Sequence, residues 1–94
     1  MSRGAKSAEA RQFDEALGRR IEAVRKRAGI KGMELAAAVG ITPSALYRYE
    51  AGVCACPQFV LWKIAGALAV SVTSVMPTYQ NTTFLERARQ GLLR

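Results

Sequence analysis

The stretch Gly32–Gly52, GMELAAAVGITPSALYRYEAG, leaves its part of the chain few conformations to choose from. Leu35, Ala36 and Val39 recur at spacings of three and four, which predicts a short helix over about Gly32 to Val39 with those residues inward. Gly40 ends it, because a tight turn here needs the positive φ that glycine adopts freely. Thr42 is then a good N-cap. Pro43 suits the first helical position, where a missing N–H costs nothing. Leu46 and Tyr49 face inward, and Gly52 supplies a left-handed stop. Two helices joined by so short a turn must cross closely, and the small Ala36 suits the crossing. Leu35, Val39, Ile41, Leu46 and Tyr49 lock both helices to a core, which leaves the other face of the second helix free.

The flanks extend the helical pattern. Phe13, Leu17, Ile21 and Val24 form one face of an earlier helix. Gly29 closes it, and Arg25, Lys26 and Arg27 in its last turn suit the helix dipole. A fourth helix starts at Pro57 and turns Val60, Leu61, Ile64, Ala65 and Leu68 inward. Ser71 caps a short fifth helix that Pro77 terminates. In the tail, Thr83 and Glu86 have the spacing of a capping box. Phe84, Leu85, Ala88 and Leu92 then make an apolar stripe on a short C-terminal helix. Such a helix must dock on the domain or on a partner, because it is marginal alone. The chain of 94 residues thus reads as one domain. Residues 1–12 form a flexible basic N-terminus, 13–77 the helical domain and 78–94 the tail. Trp62 sits beside the strongest inward positions of its helix, either as a half-buried edge of the core or as a dimer contact.

The formal charge is +7, from 14 Lys and Arg against 7 Asp and Glu. That balance points to an anionic partner, most often nucleic acid. Arg19, Arg20, Arg25, Lys26, Arg27 and Lys31 lie close together, with Glu22 the only acid among them. Histidine is absent, which removes the commonest general base and any Ser/His or Cys/His pair. No Gly-rich phosphate loop is present either, so the chain reads as a non-enzyme without a cofactor. Cys54 and Cys56 have no further ligands nearby to complete a metal site, and read as free thiols used as small apolar groups. The longest apolar runs, Leu35 to Ile41 and Ile64 to Val70, are too short to span a bilayer. Met1 to Arg11 lacks the apolar core of a signal peptide. The expected location is cytoplasmic.

Three blocks in order, LGRRIEAVRKRAGI, MELAAAVGITPSALYRYEAG and LWKIAGALAVSVTSVM, resemble the Cro/phage-repressor type of helix-turn-helix domain, also called the XRE family. The resemblance covers about Leu17 to Met76 and includes the order of five helices as well as the central motif. It implies an all-α, five-helix phage-repressor-like domain that places its third helix in a DNA major groove. Arg25 and Glu50 match a family ion pair between the first helix and the end of the recognition helix, a structural role. Ser44, Ala45, Tyr47 and Arg48 fall at positions that resemble the family's DNA-facing ones, with Lys31, Gly32, Thr42 and Pro43 beside them. Arg48 can bond a guanine edge or hold a phosphate. Ser44 can donate to a base or a backbone oxygen. Tyr47 can stack on a sugar or touch a thymine methyl, or belong to an ordinary solvated face.

Departures from the family pattern remove some phosphate contacts. Gly32 stands where the family often has Gln, although a backbone N–H there can still meet a phosphate. Pro43 stands where Gln or Arg is frequent. Val53, Cys54, Ala55 and Cys56 replace the usual basic or polar residues after Gly52, and Lys31 with the basic end of the first helix partly substitutes for them. The expected function is sequence-specific binding of double-stranded DNA by a homodimeric transcriptional repressor. The alternative is a protein-interaction module, an antitoxin or antirepressor that keeps the fold and grips a protein partner through its tail or the Trp62 surface.

Overall fold

Helix α1 spans Ala8–Arg27 in the computed structural model, which describes residues 6–79 and 82–92. It begins inside the segment 1–12 that was expected to be flexible. Two local interactions explain the early start. The Ser7 hydroxyl accepts from the Ala10 N–H at 3.0 Å, and the Lys6 ammonium lies 2.7 Å from the carboxylate of Asp14, about two helical turns further along. Helix α2 follows at Gly32–Val39, α3 at Pro43–Ala51 and α4 at Gln58–Ala67. The described residues contain helices and turns and no strand, so the domain is all-α.

The punctuation works as the residue types demand. Gly29, Gly40 and Gly52 have φ of +73°, +75° and +73°. Thr42 accepts from the Ala45 N–H at 3.0 Å, with Pro43 at the start of α3. At the other cap, the Lys31 N–H donates to Glu34 Oε1 at 2.8 Å. Past α4 the chain departs from expectation. The helix between Ser71 and Pro77 is a single 3-10 turn, Val72–Ser74. Ser71 does not cap it through its side chain; its hydroxyl pairs instead with Thr73 and Ser74, at 2.8 and 3.1 Å. Proline at 77 also disfavours helical backbone at Met76, so a longer helix has nowhere to go. The turn still anchors the core, because Val75 is fully buried.

The core gathers Leu17 and Ile21 from α1, Leu35, Ala36 and Val39 from α2, Leu46 from α3, and Leu61, Ile64 and Leu68 around α4. Phe13 was expected inward but is 40 % exposed, because α1 runs past the core at its N-terminal end. It lines a shallow groove of about 690 Å³ with Met76 and Tyr79. Helix α5 spans Thr82–Leu92, which puts Thr83 inside its first turn rather than at a cap. Ala88 is exposed; the side chains of Phe84, Leu85 and Leu92, the rest of the expected stripe, lie outside the described residues. Among the described residues no helix is long and apolar enough to cross a membrane.

Candidate nucleic-acid interface

Three close contacts between α1 and α3 decide which way α3 faces. At the first, Gly18 meets the backbone carbonyls of Tyr49 and Glu50, with no room for a Cβ. At the second, Arg25 Nε donates to Glu50 Oε2 at 2.7 Å and Nη2 to Oε1 at 3.1 Å, a bidentate pair buried on both sides. Arg25 Nη1 also donates to the Ile30 carbonyl at 2.9 Å. The hydrogen bond to Glu50 holds the Arg25 guanidinium above its ordinary pKa, against the opposing effect of burial. At the third, Gly52 abuts the α1 backbone at Glu15. With Leu46 and Glu50 turned into the protein, the opposite side of α3 faces solvent.

That solvent side carries Ser44, Tyr47 and Arg48, all exposed, with Thr42 and Pro43 exposed at the helix start. Ala45 is half-buried, so its methyl presents only an edge. The Arg48 side chain has no carboxylate or hydrogen-bond partner among the described residues, which leaves its planar five-donor head available for a ligand. Lys31 is exposed beside α2. Arg19, Arg20, Lys26 and Arg27 are exposed on α1, with Lys26 loosely paired to Glu22 at 3.5 Å.

Gly32 does not share this exposure. It is buried, and a Cβ on it would come 2.7 Å from both Cε1 and the hydroxyl of Tyr47. The ring of Tyr47 therefore lies across the start of α2, over the site where the resemblance implies a Gln side chain. The two departures belong together: the Tyr47 ring on α3 occupies the space that glycine on α2 leaves free. Tyr47 is 49 % exposed and can swing away, so the clash is cheap to relieve but displaces the ring. Gly32→Gln is expected to lower stability by about 0.5–1.5 kcal/mol. Adding Tyr47→Ala should abolish that cost, read as a coupling energy in a urea-denaturation double-mutant cycle. Equal cost in both backgrounds would show that the two residues do not compete for this space.

The loop after Gly52 is apolar, as the sequence indicates, yet it holds a positive charge brought from elsewhere. The Lys6 ammonium reaches the Gly52 and Val53 carbonyls at 3.3 and 3.2 Å. Sequence reasoning missed Lys6, because the two carbonyls it reaches lie 46 and 47 residues away and no local spacing reports them. Cys54 and Cys56 are half-buried free thiols. Burial pushes the Cys56 thiol up to about 11, with Cys54 adding to the shift, so it stays neutral at ordinary pH. Among the described residues no cluster of three or more His, Cys, Asp or Glu could hold a metal ion. Trp62 is 64 % exposed, not half-buried, and packs against the exposed Phe59 with ring centroids 5.9 Å apart and the rings tilted by 34°.

Comparison with known proteins bears on this geometry. A family model described as a helix-turn-helix domain matches residues 16–75. Two crystal structures of the clp gene regulator ClgR from Corynebacterium glutamicum share the fold. One is 32 % identical, covers 67 % of this chain and 82 % of that one, and has a TM-score of 0.65. The other is 29 % identical, covers 87 % of each chain, and has a TM-score of 0.68. The comparison with curated proteins gives no match.

Proposed function

The chain belongs to the helix-turn-helix domain family, and we propose that it is a transcriptional regulator that binds double-stranded DNA sequence-specifically. Two copies bind as a homodimer, with one α3 from each in successive major grooves about 34 Å apart on a near-palindromic site. Occupancy of that site represses the adjoining genes, in the cytoplasm. The observation that carries the reading is the outer face of α3. Ser44, Tyr47 and Arg48 stand clear of the protein there, while Gly18, Glu50 and Gly52 fix the back of the same helix to α1. The net charge of +7 supports it, since phosphate neutralisation supplies much of the affinity of such proteins. So does the likeness to a protein whose own name is that of a gene regulator.

Selection of bound duplexes from a random DNA pool tests the reading, followed by Arg48→Ala on the enriched sequence. A dyad-symmetric motif should emerge. The variant should lose about 1–3 kcal/mol of preference for it, the worth of one bidentate base contact, while binding of scrambled DNA changes little. An equal loss on both duplexes would make Arg48 a phosphate contact only.

One observation favours the second reading, a protein-interaction module. Phe59 and Trp62 form an exposed aromatic pair on α4, with Lys63 Nζ 5.5 Å from the centre of the Phe59 ring. Tryptophan is enriched among the anchors of protein–protein interfaces. Selection that enriches no sequence would sink the first reading and leave this one standing.

A further inference from the structure

We infer that Lys6 is a positioning residue for the DNA-facing helix, tying the front of α1 to the back of α3 without itself touching DNA. This rests on the proposed DNA-binding function. An ammonium carries three N–H donors. Lys6 has three acceptors within reach: Asp14 Oδ2 at 2.7 Å, the Gly52 carbonyl at 3.3 Å and the Val53 carbonyl at 3.2 Å. Two of its N–H groups donate to the carbonyls and its charge is set against Asp14, so the ammonium is engaged within the protein. Asp14 is buried, and Lys6 Nζ is its salt-bridge partner.

The two carbonyls matter because of what they are joined to. Gly52 and Val53 close α3, where the last C=O groups of a helix lack partners within it and carry partial negative charge. The Val53 N–H donates to the Arg48 carbonyl at 3.1 Å, and the Gly52 N–H to the Tyr49 carbonyl at 3.1 Å. Lys6 thus grips the peptide unit that is hydrogen-bonded to Arg48, the residue best placed to read a base. Gly52 packs directly on the Glu15 backbone, so its end of α3 has no slack on that side. Without Lys6, the loop from Gly52 to Cys56 would keep its packing on α1 but lose the charge that holds its carbonyls. The turn bearing Arg48 would then sample more orientations. Base contacts demand a narrow range of positions and would suffer; phosphate contacts tolerate a wider one.

Lys6→Met and Lys6→Arg test this with two readouts, one of which needs no DNA. Amide hydrogen exchange at Gly52–Cys56 should quicken roughly tenfold in Lys6→Met and return toward normal in Lys6→Arg. On DNA, Lys6→Met should lower the ratio of affinities for the pool-selected duplex over a scrambled one by roughly fivefold. Its affinity for scrambled DNA, and the slope of log K against log salt, should stay as they were. Asp14→Asn should quicken exchange in the same segment without adding to Lys6→Met, as expected of partners in one tie. A salt slope reduced by about one, with equal losses on both duplexes, would overturn the proposal and make Lys6 a phosphate contact. Unchanged exchange at Gly52–Cys56 in both Lys6→Met and Asp14→Asn would overturn it whatever the DNA results. Failure of the pool to yield a sequence would remove the function it serves, while exchange would still decide whether the tie exists.

Discussion

Glu50→Ala is expected to lower the unfolding free energy by about 3–5 kcal/mol, because it strands a buried guanidinium. Small domains have only about 5–15 kcal/mol in hand, so the variant would be partly unfolded near its working temperature. The loss would show as a Tm lower by about 4–8 °C for each kcal/mol. The pair itself adds little net stability. Two desolvated charges recover roughly what burial takes from them, and an apolar pair of similar volume can do as well. What costs is removing one partner. Arg25 keeps its bond to the Ile30 carbonyl after Glu50→Ala, but a neutral carbonyl does not balance a buried cation, and a guanidinium cannot shed its proton. Both single variants, Arg25→Ala and Glu50→Ala, should fall below the double variant Arg25→Met/Glu50→Leu, which removes both charges and refills the space with apolar side chains. Urea denaturation of the three variants decides the matter. Single variants as stable as the double variant would mean that water reaches the pair and that its burial is not what makes it matter.

Much of this could be read from the sequence because the signals are local. Gly40, Thr42, Pro43 and Gly52 each act through the backbone within a few residues, so α2 and α3 lie where their punctuation puts them. Arg25 and Glu50 lie 25 residues apart, and only the resemblance to a known family connected them. Nothing of either kind connects Lys6 to the two carbonyls at the end of α3. At Gly32 the sequence shows the absent side-chain contact, and the structure adds that the Tyr47 ring occupies that space. The turn at Val72–Ser74 illustrates a different limit. Its residue types suit a helix cap, but three neighbouring hydroxyls bonded to one another in place of the backbone. Spacing does not encode which of these competing hydrogen bonds forms.

Gly18→Ala sets local preference against packing, and packing should win. Inside a helix, alanine is better than glycine by about 1 kcal/mol, so propensity alone would make this variant more stable. At Gly66, in α4, nothing lies within 4 Å of an added Cβ, and Gly66→Ala should gain about 0.5–1 kcal/mol. At Gly18 the added methyl would land among the Tyr49 and Glu50 carbonyl groups. Those are backbone atoms at the end of α3, and no rotamer change moves them aside. Helices α1 and α3 must then separate, which loosens Leu17 and Ile21 against Leu46 and stretches the Arg25–Glu50 pair from 2.7 Å. Overpacking of this kind costs about 1–3 kcal/mol, at the upper end when the obstacle is backbone, and outweighs the propensity gain. Because the separation that Gly18→Ala forces also stretches the ion pair that Glu50→Ala removes, the two should together cost less than the sum of their separate losses. Denaturant titration of Gly18→Ala, Gly66→Ala and the double variant Gly18→Ala/Glu50→Ala gives all three quantities. If Gly18→Ala proves as stabilising as Gly66→Ala, the close crossing of α1 on α3 is not what holds the DNA-facing helix in place, and the orientation of Ser44, Tyr47 and Arg48 must be set by the core alone.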